Sequence, residues 1–448
     1  MSSSRFHRPE RQRGLAPLVL AAGAAFAVMS GGAALAKEQA AAPAATDPVK
    51  MGWMQGSPPP KDRIIRMSDG SMLRFPQIRW SFSHMRELLP TRNVPHASTP
   101  RELPVALRDD LDSLAFRAMD GREMTWKDML ANTYADSIIV LHDGKVVYEK
   151  YFGAAKPELP HQAMSVTKSV IGTLAAVLAA EGRLDPQAPV TKYVPELKDS
   201  AYGDATVRDV MDMRVGVDYT ENYQDPQSSV WDYARAGGLI PRPPGYTGPD
   251  DFAAFLQRLK KQGQHGASFS YKTANAEALT WIVRRAAGKS IAELVRERIW
   301  EPIGAGSDAY FLIDPAGQES GGGGFNATLR DLARFGELMR NDGRVGDRQV
   351  IPASVVADIR KGGDRAAFAA AGYKTLPGWS YRDMWWVTGN ADGAFMARGI
   401  HGQSLYVDPA AKMVIVRFAS HPVASNTFND PLTLPAFAAM AERLKKQQ

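Results

Sequence analysis

The stretch Met164-Ser165-Val166-Thr167-Lys168-Ser169-Val170-Ile171-Gly172-Thr173-Leu174-Ala175-Ala176-Val177-Leu178-Ala179-Ala180-Glu181-Gly182 decides the fold. Its unbroken apolar character predicts a buried helix, with Gly182 as the C-terminal cap. Ser165-Val166-Thr167-Lys168 opens that helix and is the only Ser-x-x-Lys in the 448 residues. A serine on the first turn lies near unpaired N–H groups, where negative charge is favoured. A lysine three residues later shares its face and can reach the hydroxyl. In water that lysine is protonated and cannot act as a base. Beside an apolar helix its pKa is expected to fall from ~10.4 towards ~7, a differential cost of roughly 4–5 kcal/mol that burial can impose. The pair then reads as an activated serine nucleophile with lysine as its base. The plainer alternative has Ser165 capping the helix and Lys168 reaching along it to solvent.

The first 36 residues have a different character. Arg5, Arg8, Arg11 and Arg13 precede an uncharged stretch from Leu15 to Met29, and Ala34-Leu35-Ala36 follows. This order describes a secretory signal peptide over residues 1–36, with cleavage expected after Ala36 and a periplasmic or secreted bacterial protein as the product. Four arginines against Glu10 carry about half of the formal charge of +6, so nucleic-acid binding loses its main support. No later segment is long and apolar enough to anchor the mature chain in a membrane. With no cysteine in the chain, disulfides, thiolate metal sites, cysteine nucleophiles and a lipoprotein anchor are excluded. The eight histidines are scattered and His-Glu-x-x-His is absent, so no metal and no cofactor are expected.

Residues 37–109 read as an Ala/Pro linker followed by an irregular arm rich in Pro, Arg, Trp and Met, and residues 110–448 as the main domain. Asp136–Phe152 predicts a hairpin turning at Asp143-Gly144, and Ser404–Phe418 a second one turning at Asp408-Pro409-Ala410-Ala411. Val207–Met213, Asn275–Ala287 and Ile291–Trp300 read as helices, and Thr328-Leu329-Arg330-Asp331 as a capped helix start. Pro435–Lys446 is expected as a last helix with its proline in the first turn. Gly321–Gly324 lacks the ending of a phosphate loop and reads as backbone beside a site or turn. Hairpins near both ends predict one antiparallel sheet drawn from both ends of the domain, an α+β fold with flanking helices and a mostly helical subdomain.

Two further segments can complete a site around Ser165. Phe269-Ser270-Tyr271-Lys272-Thr273-Ala274-Asn275 passes from extended chain into a helix, and Tyr271 at the boundary can relay a proton if neighbouring cations lower its pKa. Ala397-Arg398-Gly399-Ile400-His401-Gly402-Gln403 precedes the second hairpin. Its glycines let a substrate lie against an edge strand, and the N–H of Ile400 can join that of Ser165 as an oxyanion hole. Each segment also has a structural reading, as a core aromatic and as a turn entering a strand.

Taken together, Ser165/Lys168, Tyr271-Lys272-Thr273 and Ala397-Arg398-Gly399 resemble the serine β-lactamase and penicillin-binding-protein superfamily in order and spacing over roughly residues 110–445. The likeness is greatest to its class C-like esterase and amidase branch, and there to 6-aminohexanoate-dimer hydrolases. The resemblance implies a β-lactamase/transpeptidase-like fold, Ser165 as nucleophile, Lys168 and Tyr271 as the acid-base pair, and Ser165 and Ile400 as oxyanion donors. It also implies substrate-binding roles for Tyr223 (on a loop over the cleft) and Thr273; Gly399 and His401 are substrate-binding candidates by their place in the glycine-rich turn, where His401 also has a structural reading. Two departures count against a dedicated β-lactamase. Ala397 stands where the family has the lysine that holds a substrate carboxylate, and Thr273 stands where it has asparagine. The expected partner is a small ester or linear-amide substrate, and the sequence carries no signal for a particular oligomeric state. The rival readings are a β-lactamase or D-alanyl-D-alanine peptidase and a non-catalytic cell-wall peptide-binding protein.

Overall fold

The computed structural model describes residues 42–446; the expected signal peptide and its cleavage point lie outside the described residues. The arm opens with a 3-10 turn, Pro43–Thr46, where a linker was expected. The buried guanidinium of Arg79 explains the difference, because it takes the Pro43 carbonyl and the Thr46 hydroxyl as acceptors. The arm continues through short helical turns to strand β1 (Thr91–Val94). Strands β2 (Ala135–His142) and β3 (Lys145–Tyr151) form the first hairpin, with Asp143 and Gly144 both at positive φ in its turn.

After the short strand β4 (His161–Gln162) comes helix α1 (Val166–Ala180), buried on every side from Val166 to Leu178. That all-round apolarity is why it forms the middle of the molecule. It packs against α2 (Thr273–Ala287), and the Ser169 hydroxyl fastens it to the Met384 carbonyl at 2.7 Å. Strands β5 (Ala309–Leu312) and β6 (Phe325–Ala327) follow, then α3 (Leu329–Arg340), whose N-cap Thr328 accepts the Asp331 N–H.

The C-terminal part supplies β7 (Ser380–Arg382), β8 (Trp385–Val387), β9 (Phe395–Gly399), β10 (Gln403–Asp408) and β11 (Met413–Ala419). They join the first hairpin in one antiparallel sheet, ordered β7-β8-β9-β10-β11-β2-β3. Both ends of the domain therefore meet at the β11–β2 pair, as the two hairpins predict. Strands β10 and β11 are buried along their whole length because both sheet faces are covered. Gly336 of α3 lies against Leu405 and Val414, while Tyr406 on the other face meets Phe437 of α4 (Asp430–Lys445). A second antiparallel sheet, ordered β1-β5-β6-β4, ties the arm to the domain.

α4 corrects one expectation. It starts at Asp430, with Pro431 in the first turn, and Pro435 lies inside it. An internal proline leaves the carbonyl four residues earlier without its helical donor. Here that carbonyl, of Pro431, accepts the N–H of Met119 at 2.9 Å, which removes the main cost of the proline. Among the described residues no helix is long and apolar enough to cross a membrane.

Candidate active site

Ser165 occupies the N-cap of α1, yet its hydroxyl caps no backbone N–H. It accepts instead from the Lys168 ammonium at 2.8 Å, and the ammonium also donates to the Gly322 carbonyl at 2.6 Å. Lys168 is 1% exposed, so it does not reach solvent. Burial lowers its pKa to about 8, against the opposing pull of the Glu221 and Glu277 carboxylates. Both plainer readings of Ser165-Val166-Thr167-Lys168 thereby fall away. Met164, just before the serine, is held at φ 49°, a left-handed conformation that costs a side-chain-bearing residue about 1–2 kcal/mol.

Tyr271 stands at the entrance to α2 with its ring 5.2 Å from the Lys168 ammonium. Trp386 and Tyr381 enclose it, with ring centroids at 5.3 and 6.1 Å. The expectation that neighbouring cations lower its pKa is corrected. Burial pushes the phenol well above its ordinary value and the Glu221 charge adds to this, outweighing a hydrogen bond with Ser165 and the more distant Arg398. The phenol therefore keeps its proton at neutral pH and is suited to giving one.

The turn after β9 carries Ile400. Gly399 is required there, because a Cβ would stand 2.7 Å from the Ala163 carbonyl oxygen and 2.9 Å from the Met164 side chain. The end of β9 can thus close against the chain that enters α1. Ser165 and Ile400 both line the cleft, and neither peptide N–H has a partner among the described residues. The turn is fixed from behind. His401 donates its N–H to the Ala424 carbonyl at 2.9 Å, Asn426 donates to the Gly399 carbonyl at 2.9 Å, and buried Arg417 donates to the Gly402 carbonyl. The His401 ring lies 2.7 Å from the His421 carbonyl, and burial lowers its pKa to about 4, so it is a neutral brace that also borders the cleft.

The cleft has a volume of about 700 Å³. Tyr223 and Thr273 line it, but their polar groups are engaged. The Tyr223 hydroxyl donates to Glu221 at 2.9 Å, and Thr273 gives Glu221 its N–H at 2.6 Å and its hydroxyl at 2.7 Å. Glu221 therefore ties the loop that bears Tyr223 to the N-terminus of α2, where a carboxylate is favoured. Arg398, beside the position of the family lysine, turns away to Asp430 at 2.5 Å and lies over Trp379 and Trp386.

Sequence reasoning missed two carboxylates. One is Glu221. The other, Glu277, is buried on α2 and accepts from the Tyr233 hydroxyl, the Ser320 hydroxyl and the N–H groups of Gly321 and Gly322. It holds the glycine run whose carbonyl receives Lys168. Side chains at Gly321 and Gly322 would collide with Thr280 and with Thr273, so the run could contain nothing larger there. The available signal was Glu277 itself, the one acid in the Ala-rich first half of this helix, one turn from Thr273.

Residues 128–436 match the beta-lactamase family. The 6-aminohexanoate-dimer hydrolase of Paenarthrobacter ureafaciens is 38% identical over 350 residues, covering 78% of this chain and 86% of that one. A solved structure from Bacillus anthracis, assigned as a 6-aminohexanoate-dimer hydrolase, superposes with a TM-score of 0.78 at 34% identity, over 87% of this chain and 99% of the other. The octameric penicillin-binding protein homologue of Pyrococcus abyssi shares the fold, with a TM-score of 0.53 and 19% identity over 70% and 75% of the two chains. The family match and the shared fold thus agree, over most of the chain. The chain belongs to the beta-lactamase family, and it is a hydrolase of that family.

Proposed function

We propose that the protein cleaves a carboxylic ester or linear amide through an acyl-enzyme on Ser165. The observation that carries this reading is the 2.8 Å approach of the fully buried Lys168 amine to the Ser165 hydroxyl. With a pKa of about 8, roughly a tenth of Lys168 is neutral at pH 7 and able to take the hydroxyl proton as Ser165 attacks the carbonyl. The N–H groups of Ser165 and Ile400 hold the oxyanion, each worth about 3–4 kcal/mol. Tyr271, a neutral phenol beside both groups, protonates the departing alcohol or amine and is re-protonated through Lys168. Water then attacks the acyl group with the same pair acting in reverse.

The lining of the cleft supports an ester or amide over a β-lactam or a D-alanyl peptide. Among the described residues it contains no lysine or arginine to receive a substrate carboxylate, and Arg398 is committed to Asp430. A screen of p-nitrophenyl esters, linear amides and a chromogenic cephalosporin tests this reading, with Ser165→Ala as control. Ester or amide turnover that vanishes in the variant is expected; cephalosporin turnover alone, or activity kept by the variant, would overturn it. For the N-terminal segment we propose export, with a mature chain starting at Lys37. Edman sequencing of the protein from a periplasmic fraction should read Lys-Glu-Gln, and an intact Met1 start would remove that proposal.

A further inference from the structure

The two walls of the cleft differ in origin and chemistry. One comes from the domain and carries polar groups, Glu221, Asn222, Gln224, Thr273 and Ser320, among the side chains of Val230, Trp231, Tyr233 and Leu239. The other is apolar, and much of it comes from the arm: Met72, Leu73, Met85 and Leu89, continued by Met164 and Leu312. Met72, Met85, Leu89, Met164 and Leu312 belong to an apolar cluster separate from the main core. The arm precedes the part of the chain that matches the family, which begins at residue 128. Tyr271 packs instead against the main core.

On the acyl-transfer reading above, the leaving group must face its proton donor, Tyr271. The acyl segment then lies on the arm side. Methionine fills irregular apolar space and adapts to a chain laid against it. Among the described residues no lysine or arginine lines the cleft, and the one charged lining residue, Glu221, already receives Thr273 and Tyr223. A carboxylate entering this wall would lose its water and find no counter-charge.

We propose that the arm selects the substrate, and that its wall takes the acyl segment of an ester or amide as an uncharged hydrocarbon chain. This goes beyond the reaction itself, since the same nucleophile could serve any acyl group.

The test is a p-nitrophenyl ester series: acetate, butyrate and hexanoate, with the adipate half-ester (anionic) and the 6-aminohexanoate ester (cationic) beside them. Each added methylene should raise kcat/KM about three- to four-fold, on the order of 100-fold from acetate to hexanoate. The two charged esters should fall at least about ten-fold below hexanoate. Half-buried Leu73 offers a substitution at the edge of the wall. Leu73→Lys should raise kcat/KM for the adipate half-ester relative to hexanoate by at least about ten-fold, read as the ratio of the two in one preparation. A flat series, or charged esters equal to hexanoate, in protein whose Ser165 a fluorophosphonate labels and that turns over acetate would overturn the role of the arm alone. Failure of every ester together with failure to label would instead remove the acyl-transfer reading beneath it.

Discussion

The frame that carries Ser165 and the arm that faces it are built differently. In the frame, α1 is buried on all sides, α2 lies along it, and hydrogen bonds run in sequence beneath the serine: Lys168 with Gly322, Gly322 with Glu277, and Thr273 with Glu221. The arm consists of short turns held by one strand pair, β1 with β5, and by cations over rings, Arg63 over Trp53 and Arg86 over Tyr310. A buried polar network leaves unpaired groups when one member is lost, whereas an apolar wall loses area in proportion to what is removed. Changes in the frame should therefore act alike on every acyl group, and changes in the arm should re-rank acyl groups.

The largest expected effect is at the nucleophile. Ser165→Ala should lower kcat by about 10⁴-fold or more on all esters, with little change in Tm, because its hydroxyl caps no helix N–H. Loss confined to some substrates would break the distinction between frame and arm. Tyr271→Phe should cost about 10²-fold, and more on amides than on the matching esters, because an amine leaves poorly without a proton. Equal losses would remove Tyr271 as the acid.

Glu277→Ala should lower both activity and stability, since four donors lose their acceptor in the interior. A fall of about 2–4 kcal/mol in urea unfolding is expected. Glu221→Gln should sharpen the electrostatic part of the account. The Glu221 charge favours the protonated form of Lys168, so its removal lowers the lysine pKa. The acid limb of kcat/KM, where activity rises as Lys168 loses its proton, should move to lower pH, while the Glu277 charge remains. The smallest effect is in the arm: Met85→Ala should cost about three- to ten-fold in kcat/KM on hexanoate and leave acetate unchanged.

What the sequence disclosed was local. Ser165 and Lys168 share one helical turn, and the turns of both hairpins are short, so pattern alone placed them. The Glu277 contacts join α2 to Ser320–Gly322, and those of Glu221 join a loop to α2; neither has a signature along the chain. From the sequence, Tyr271 could relay a proton if neighbouring cations lowered its pKa, but the fold surrounds it with Trp386, Tyr381 and the field of Glu221. Pro435 was read as a helix start because a proline inside a helix leaves a carbonyl unpaired, and the N–H that repairs this comes from distant Met119. The arm has little periodicity to read, since its helical turns and strand β1 are too short to set a repeat.

The central claim is that a neutral, buried Lys168 takes the proton from Ser165. Single-turnover acylation by p-nitrophenyl acetate, followed across pH 5.5 to 10, tests it most directly. The rate should climb with an apparent pKa near 8 in the wild type and collapse at every pH in Lys168→Ala. A rate that does not vary with pH, or a Lys168→Ala protein that acylates as fast as the wild type, would contradict it.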